Sequence, residues 1–247
     1  MKLLIDLGNS RMKWAEMRDD RLDGYGSCSY HERENWPAAL DCVDRPERVY
    51  FASVAADELN SRLEAYLQAR WGSCAVRLFS QQTCCGVHNG YEQPLRLGVD
   101  RWAAMLAAYR LCRGPLCVID CGSAMTVDAL DGSGRHLGGL ILPGVQLQQR
   151  SLLQGTARIG DAQGDLDTGR MWGRNSAACV QHGSVHAMAA LVEHSARDLA
   201  RQLPGTVKVV MTGGDALLIM SLLEREVVYE EHLVLQGMSM MVRQQEG

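Results

Sequence analysis

The sequence predicts an α/β protein built from two duplicated halves with a cleft between them. Three observations carry that expectation. An apolar strand ending in Asp-Leu-Gly, "LLIDLGNS", stands near the amino terminus, and an apolar strand ending in Asp-Cys-Gly, "PLCVIDCGSA", recurs in the second half. Each leads through a tight turn into an alternating strand and a further strand, and each meander is followed by stretches of helical period. Halves that face one another bring both strand-end carboxylates, Asp6 and Asp120, to one cleft.

The 247 residues are 47% hydrophobic and 22% charged, enough for one large domain or two of about 120 residues each. The expected domains are 1–115 and 116–247. A formal net charge of −4 gives no global attraction to nucleic acid or to an anionic membrane, so the expected partner is a small molecule. No run of 18 apolar residues occurs, and Asp6 interrupts "LLI" before it becomes a secretory core, so a cytoplasmic protein without a membrane partner is expected. Nine cysteines occur without a C-x-x-C pair, and adjacent Cys84 and Cys85 do not form a zinc ribbon; free buried thiols are expected.

In chain order, residues 2–7 read as a strand, Gly8-Asn9-Ser10 as a turn and "MKWAEM" as its hairpin partner, with a third strand after Asp23-Gly24. "NWPAALDCV" reads as helical, "RVYFASV" as a buried strand, Asp57 to Arg70 as an amphipathic helix and "AVRLFS" as a strand. "CCGVHNGYEQPLRLGVD" has no regular period and is rich in turn residues, the composition of a binding loop. The helix "RWAAMLAAYRLC" that follows puts Trp102, Met105, Leu106 and Tyr109 on one face and ends at Gly114-Pro115. The second half adds a helix over Gly144 to Leu153, a turn-rich stretch to Gly169, a long helix from Arg174 to Gln202, and a strand running through Gly213-Gly214 into a helix.

A carboxylate in an apolar strand needs a partner or a surface. One Asp-Gly turn is an ordinary turn, but two in matched halves, each followed by a hydroxyl residue, suggest a phosphate clamp. Glycine lets backbone N–H groups approach phosphate oxygens, and Ser10, Ser123 and Thr126 supply hydroxyl donors. Two carboxylates beside a polyphosphate suit Mg²⁺. Arg11 and Lys13 share one face of the second strand, where they either neutralise phosphate or lie solvated. Asp100 in "LGVDRW" is the candidate to orient an acceptor hydroxyl and take its proton; its ordinary alternative is a helix-start acid beside Arg101. Arg101 equally suits a substrate carboxylate. His182 and His186, spaced i, i+4, lack the intervening Glu of a zinc-peptidase motif and read as a helix face.

The motifs "DLGNS", "NGYEQPLRLGVDRW", "DCGSAMT", "GGLILPG", "GRNS" and "TGGDA", in this order, closely resemble those of type III pantothenate kinases, members of the acetate and sugar kinase, Hsp70 and actin superfamily. The resemblance spans nearly the whole chain. It implies two ribonuclease-H-like, actin-like ATPase domains, a homodimer, and ATP-dependent phosphorylation of pantothenate as the first step of coenzyme A synthesis. It also implies a monovalent cation, potassium or ammonium.

Carried over by position, the turn of Asp6, Leu7, Gly8, Asn9, Ser10, Arg11, Met12 and Lys13 resembles the family's first phosphate-binding loop. Asp100 stands at the catalytic base, with Gly98, Val99 and Arg101 in the substrate motif, and Tyr91 matches the aromatic residue of the pantothenate pocket. Asp120 corresponds to the monovalent-cation ligand, Ser123 to an ATP-contacting hydroxyl and Ser176 to a pantothenate-contacting hydroxyl. Ser10, Ser123 and Ser176 stand where many relatives have threonine; each keeps the hydroxyl and loses a methyl group. The "TGGDA" turn resembles the region beside the nucleotide and ranks low as a direct ligand. Two alternatives accompany this reading: an actin-like-fold kinase for another small hydroxylated substrate, and a nucleotide-binding regulator without turnover. A filament-forming actin-like protein is a third, disfavoured by the short chain.

Overall fold

The structure is a computed structural model that describes residues 1–19, 21–31, 35–72, 75–155 and 170–246. The chain forms two compact units, Met1–Leu111 with His232–Gly247, and Cys112–Glu231.

In unit 1, strands β1 (Lys2–Leu7), β2 (Arg11–Arg18) and β3 (Arg21–Ser29) form an antiparallel meander. After a 3₁₀ turn at Trp36–Cys42, β4 (Arg48–Ser53) returns parallel to β1, helix α1 (Asp57–Trp71) crosses over, and β5 (Ala75–Arg77) adds parallel to β4, for the order β3-β2-β1-β4-β5. Leu3, Ile5 and Leu7 of β1 are fully buried in a cluster with Met12, Trp36 and Phe51, while Leu4 and Asp6 alternate to the other face. Leu4 is fully buried as well, so β1 is covered on both faces, which is why it reads as a continuous apolar run. The short hairpin β6 (Thr83–Cys84) and β7 (Val87–His88), a 3₁₀ turn at Pro94–Arg96 and helix α2 (Val99–Leu111) follow.

Unit 2 repeats the plan. Strands β8 (Leu116–Cys121), β9 (Ala124–Leu130) and β10 (His136–Pro143) form the meander; helices α3 (Val145–Gly155) and α4 (Ser176–Gln202) precede β11 (Lys208–Thr212), which pairs parallel to β8; α5 (Ala216–Met220) leads to β12 (Val227–Tyr229). The order β10-β9-β8-β11-β12 matches that of unit 1 strand for strand. This is the duplicated ribonuclease-H-like architecture. Its core sets Ile119, Met125 and Met211 of the sheet against Val185, Met188 and Val192 of α4.

The last helix, α6 (Leu233–Glu246), returns to unit 1, so the expected second domain of 116–247 differs from unit 2 at its carboxyl end. Packing explains the return. A side chain at Gly237 would overlap the Ala103 backbone, so α6 crosses α2 at a distance only glycine allows. Trp102, Met105, Leu106 and Tyr109 are buried, and so is the rest of the helix: α2 is buried on all sides from Arg101 to Tyr109, its alanines included.

Smaller departures have local causes. Asp23-Gly24 lies within β3 as a bulge, with Gly24 at φ 57 and a register shift opposite Trp14 and Glu16. "NWPAALDCV" forms a 3₁₀ helix, with proline in its first turn and no side-chain cap. "AVRLFS" is strand only over Ala75–Arg77, because Ser80 turns away to donate its hydroxyl to Leu97 O at 2.8 Å. The turn-rich stretch up to Gly169 lies outside the described residues.

Candidate active site

In unit 1, Asp6 is the penultimate residue of β1, 8% exposed, directly across from Lys13 on β2 and beside Ala52 on β4. Cross-strand partners share a face, so Lys13 and the carboxylate lie on the same side of the sheet. Leu7 and Met12 form the next pair and are fully buried; they anchor the turn in the core. Gly8 N–H donates to Arg11 O at 3.1 Å and closes the turn, leaving Asn9 and Arg11 exposed and Ser10 half-buried.

Sequence reasoning missed what holds this turn. Tyr30 donates its hydroxyl to Gly8 O at 2.9 Å and its backbone N–H to Ser10 O at 3.2 Å. Its ring packs on Trp36, with centroids 4.9 Å apart. Burial, followed by the charge of Asp6, raises its phenol above the ordinary range, so the hydroxyl stays protonated and remains a donor. No local pattern points to Tyr30, because its contacts are with backbone atoms far away in sequence.

The second cluster in unit 1 is built at the start of α2. Gly98 O accepts the Trp102 N–H at 3.0 Å, which sets the first helical turn. Asp100 Oδ1 accepts the Arg101 N–H at 2.8 Å, and a Cβ on Gly98 would stand 2.6 Å from that oxygen. The glycine of "LGVDR" is therefore the space the carboxylate occupies. Val99, 6% exposed, fixes the turn in the core. Arg101 is also only 6% exposed; its Nη1 donates to Tyr91 Oη at 2.7 Å, and its guanidinium lies 5.5 Å from the Tyr91 ring centroid. The structure thus brings Tyr91, Gly98, Asp100 and Arg101 together.

Asn89 is the second residue the sequence did not single out. It is 4% exposed, accepts the Tyr91 N–H at 3.0 Å on Oδ1, and donates Nδ2 to Gln81 O at 3.2 Å and Pro94 O at 3.1 Å. Those three bonds give the irregular loop one conformation. The signal lay in the quoted "NGY" motif, where only the tyrosine was assigned a role.

In unit 2, Asp120 takes the place of Asp6: it is the penultimate residue of β8, across from Thr126 and beside Thr212. Gly122 N–H donates to Ala124 O at 3.1 Å, and Ser123 forms the exposed tip of the turn. The glycines of two other motifs close on this turn. A side chain on Gly144, of "GGLILPG", would overlap Gly122 O, and its N–H donates to Ser123 O at 3.0 Å. Gly213, of "TGGDA", sits at φ 97, and a Cβ there would stand 2.6 Å from Asp120 Oδ1. Asp215 N–H donates to Cys121 O at 3.0 Å, and burial raises the Asp215 carboxyl. Carboxylate and carbonyl oxygens of this kind are hard donors that fit an alkali cation, and no group of three or more His, Cys, Asp or Glu converges among the described residues.

Ser176 opens α4 in unit 2. Asn175 caps that helix by accepting the Ala178 N–H on Oδ1 at 2.8 Å, so "GRNS" is a helix-start motif that leaves Ser176 exposed. It borders an apolar groove with Leu152, Cys179 and Val180. His182 Nδ1 lies 3.3 Å from Met171 O and the ring faces His186 at 6.4 Å, a packed helix face.

The sequence model of the type III pantothenate kinase family matches residues 2–198. A type III pantothenate kinase of Alcanivorax borkumensis is 34% identical, covering 100% of each chain. One of Marinobacter nauticus is 37% identical over 96% of each. Among solved structures, a protein of Campylobacter jejuni described as a Baf family transcriptional activator superposes with a TM-score of 0.61 at 23% identity, covering 99% of this chain and 98% of its own; at that identity the likeness is one of fold.

Proposed function

The chain belongs to the type III pantothenate kinase family and phosphorylates pantothenate at the expense of ATP, the first step of coenzyme A synthesis; from that premise we propose how its residues divide the work. The observation that carries the reading is Asp100 in the first turn of a buried helix, its carboxylate in the space left by Gly98 and its neighbour Arg101 locked onto Tyr91.

Asp100 orients the primary hydroxyl of pantothenate and accepts its proton as the oxygen attacks the γ-phosphate in line. Arg101 presents a guanidinium to the pantothenate carboxylate, and Tyr91 fixes its direction from one edge while closing the pocket beside it. Gly98 and Val99 shape the wall, and the Ser176 hydroxyl gives a further contact to pantothenate. Phosphoryl transfer has little covalent work for a protein, so positioning and charge neutralisation dominate.

The Asp6–Lys13 turn serves the phosphates of ATP. Asn9 and Ser10 present polar groups at its tip, Arg11 and Lys13 supply positive charge, and Tyr30 holds the carbonyls of Gly8 and Ser10 in place. Asp6 would hold Mg²⁺ arriving with ATP, directly or through water, since this ion keeps most of its ligands as water and phosphate. On unit 2, the Ser123 hydroxyl contacts ATP and Asp120 would hold the monovalent cation, potassium or ammonium, which would supply fixed positive charge.

A homodimer is part of the same reading. Ile141 on β10 is 64% exposed and Trp172 is 79% exposed, apolar side chains of unit 2 that a second copy would cover. No helix among the described residues is long and apolar enough to cross a membrane.

The test is product formation by purified protein with ATP, Mg²⁺ and potassium. Phosphopantothenate that appears with pantothenate and is absent with other small hydroxylated acceptors supports the assignment. ADP release that favours another acceptor overturns it.

A further inference from the structure

The reaction uses none of the cysteines, and two of them are adjacent at the tip of the β6–β7 hairpin. Successive side chains in a strand point to opposite faces, so neighbouring thiols normally diverge. Here the turn prevents it. Cys84 pairs with Val87 across the hairpin, and the two residues between, Cys85 at φ 50 and Gly86 at φ 83, both lie in the left-handed region. A cysteine seldom takes that conformation, yet it swings the second thiol back over the first. The sulfurs stand 3.5 Å apart.

A third group completes the cluster. Gln244, on α6 of the same unit, places Oε1 3.0 Å from Cys84 Sγ, 3.3 Å from Cys85 Sγ and 2.9 Å from the Cys85 N–H that donates to it. Cys84 is 1% exposed and Cys85 is half-buried, so the pair has one open side. A disulfide needs sulfurs about 2.05 Å apart, well short of the separation here. Two sulfurs each about 2.3 Å from one shared soft centre stand about 3.5 Å apart at an angle near 100°, which is the separation this turn imposes.

We propose that Cys84 and Cys85 form a bidentate dithiol site for thiophilic centres, taking a trivalent arsenical across both sulfurs. The site stands independently of the kinase assignment. With an arsenic oxide R–As=O, two As–S bonds form, the As=O bond and both S–H bonds break, and the two protons leave with the oxygen as one water. No electrons are exchanged, so no oxidant is needed. Burial, with Cys85 adding, pushes the Cys84 thiol up to about 12, so it remains a thiol at neutral pH, the form this condensation consumes.

The probe is phenylarsine oxide, added in equimolar amount to the reduced full-length protein and followed by intact mass. The expected result is one adduct per chain, carrying the arsenical less one water, that withstands excess 2-mercaptoethanol and is stripped by 2,3-dimercaptopropanol. Cys85→Ser abolishes that retention, whereas Cys28→Ser and Cys179→Ser keep it. In the unaltered protein, the adduct shields Cys84 and Cys85 together from alkylation, a readout that needs no folded variant. Undiminished retention in Cys85→Ser, alkylation of both residues with arsenical still bound, or loss of the adduct to 2-mercaptoethanol would each overturn the proposal.

Discussion

Tyr30 shows how a residue with no motif can govern one that has it. The carboxylates Asp6, Asp100 and Asp120 stood out in the sequence because charged groups beside apolar runs and glycines are unusual, and each lies at the end or start of the element expected for it. Tyr30 and Asn89 did not stand out, since both act through hydrogen bonds to backbone atoms, which leave no periodic signature. Removing only the Tyr30 hydroxyl, in Tyr30→Phe, deletes one neutral hydrogen bond worth about 1 kcal/mol. The expected outcome is a KM for ATP raised about fivefold, with the KM for pantothenate unchanged, in steady-state kinetics that vary each substrate in turn. Equal shifts in both constants would assign Tyr30 to general stability.

At the scale of elements, most strands and helices were legible from periodicity, and the exceptions were decided by partners the local sequence does not display. In helix α2 periodicity marks only the face shared by its large side chains; its alanines are equally buried, and Gly237 brings α6 onto Ala103. Gly237→Ala forces a methyl group into the Ala103 backbone, and overpacking of this kind costs about 1–3 kcal/mol. A fall of several degrees in Tm is expected by calorimetry, and an unchanged Tm would contradict the close crossing.

A second element-scale prediction concerns α4. Glu193 accepts from Arg225 Nε at 3.0 Å and Nη2 at 2.7 Å, and that pairing, ahead of other causes, lowers its carboxyl below the ordinary glutamate value. A lowered folded-state value stabilises the protein above the unfolded-state value and is lost as pH falls through the folded one. Both side chains are partly exposed, so solvent screening limits the pair to about 0.5–1 kcal/mol. Glu193→Gln is therefore expected to lower Tm at pH 7 and to match the unaltered protein once the solution is acidic enough to protonate Glu193. A difference that persists there would point to packing.

For the whole molecule, the duplication was the most legible feature, because each half repeats the same strand-turn-strand device and the two sheets share one strand order. The return of α6 to unit 1 was not legible: its apolar face serves either unit as a pattern, and the contacts that tie it to unit 1, among them the Gly237–Ala103 crossing and the Gln244 bond to the Cys85 N–H, join residues far apart in sequence. The kinase reading draws on this frame, in which buried strands and a buried helix hold the polar groups at their ends.

The most direct test of that account is turnover by Asp100→Asn beside ATP binding by the same variant. Asparagine keeps the shape and an oxygen that can accept the Arg101 N–H, and it loses the ability to take the hydroxyl proton. The account predicts phosphopantothenate formation reduced by about 10²-fold or more, with ATP affinity and Tm near those of the unaltered protein. Turnover within a few fold of normal would contradict it and remove Asp100 from the reaction.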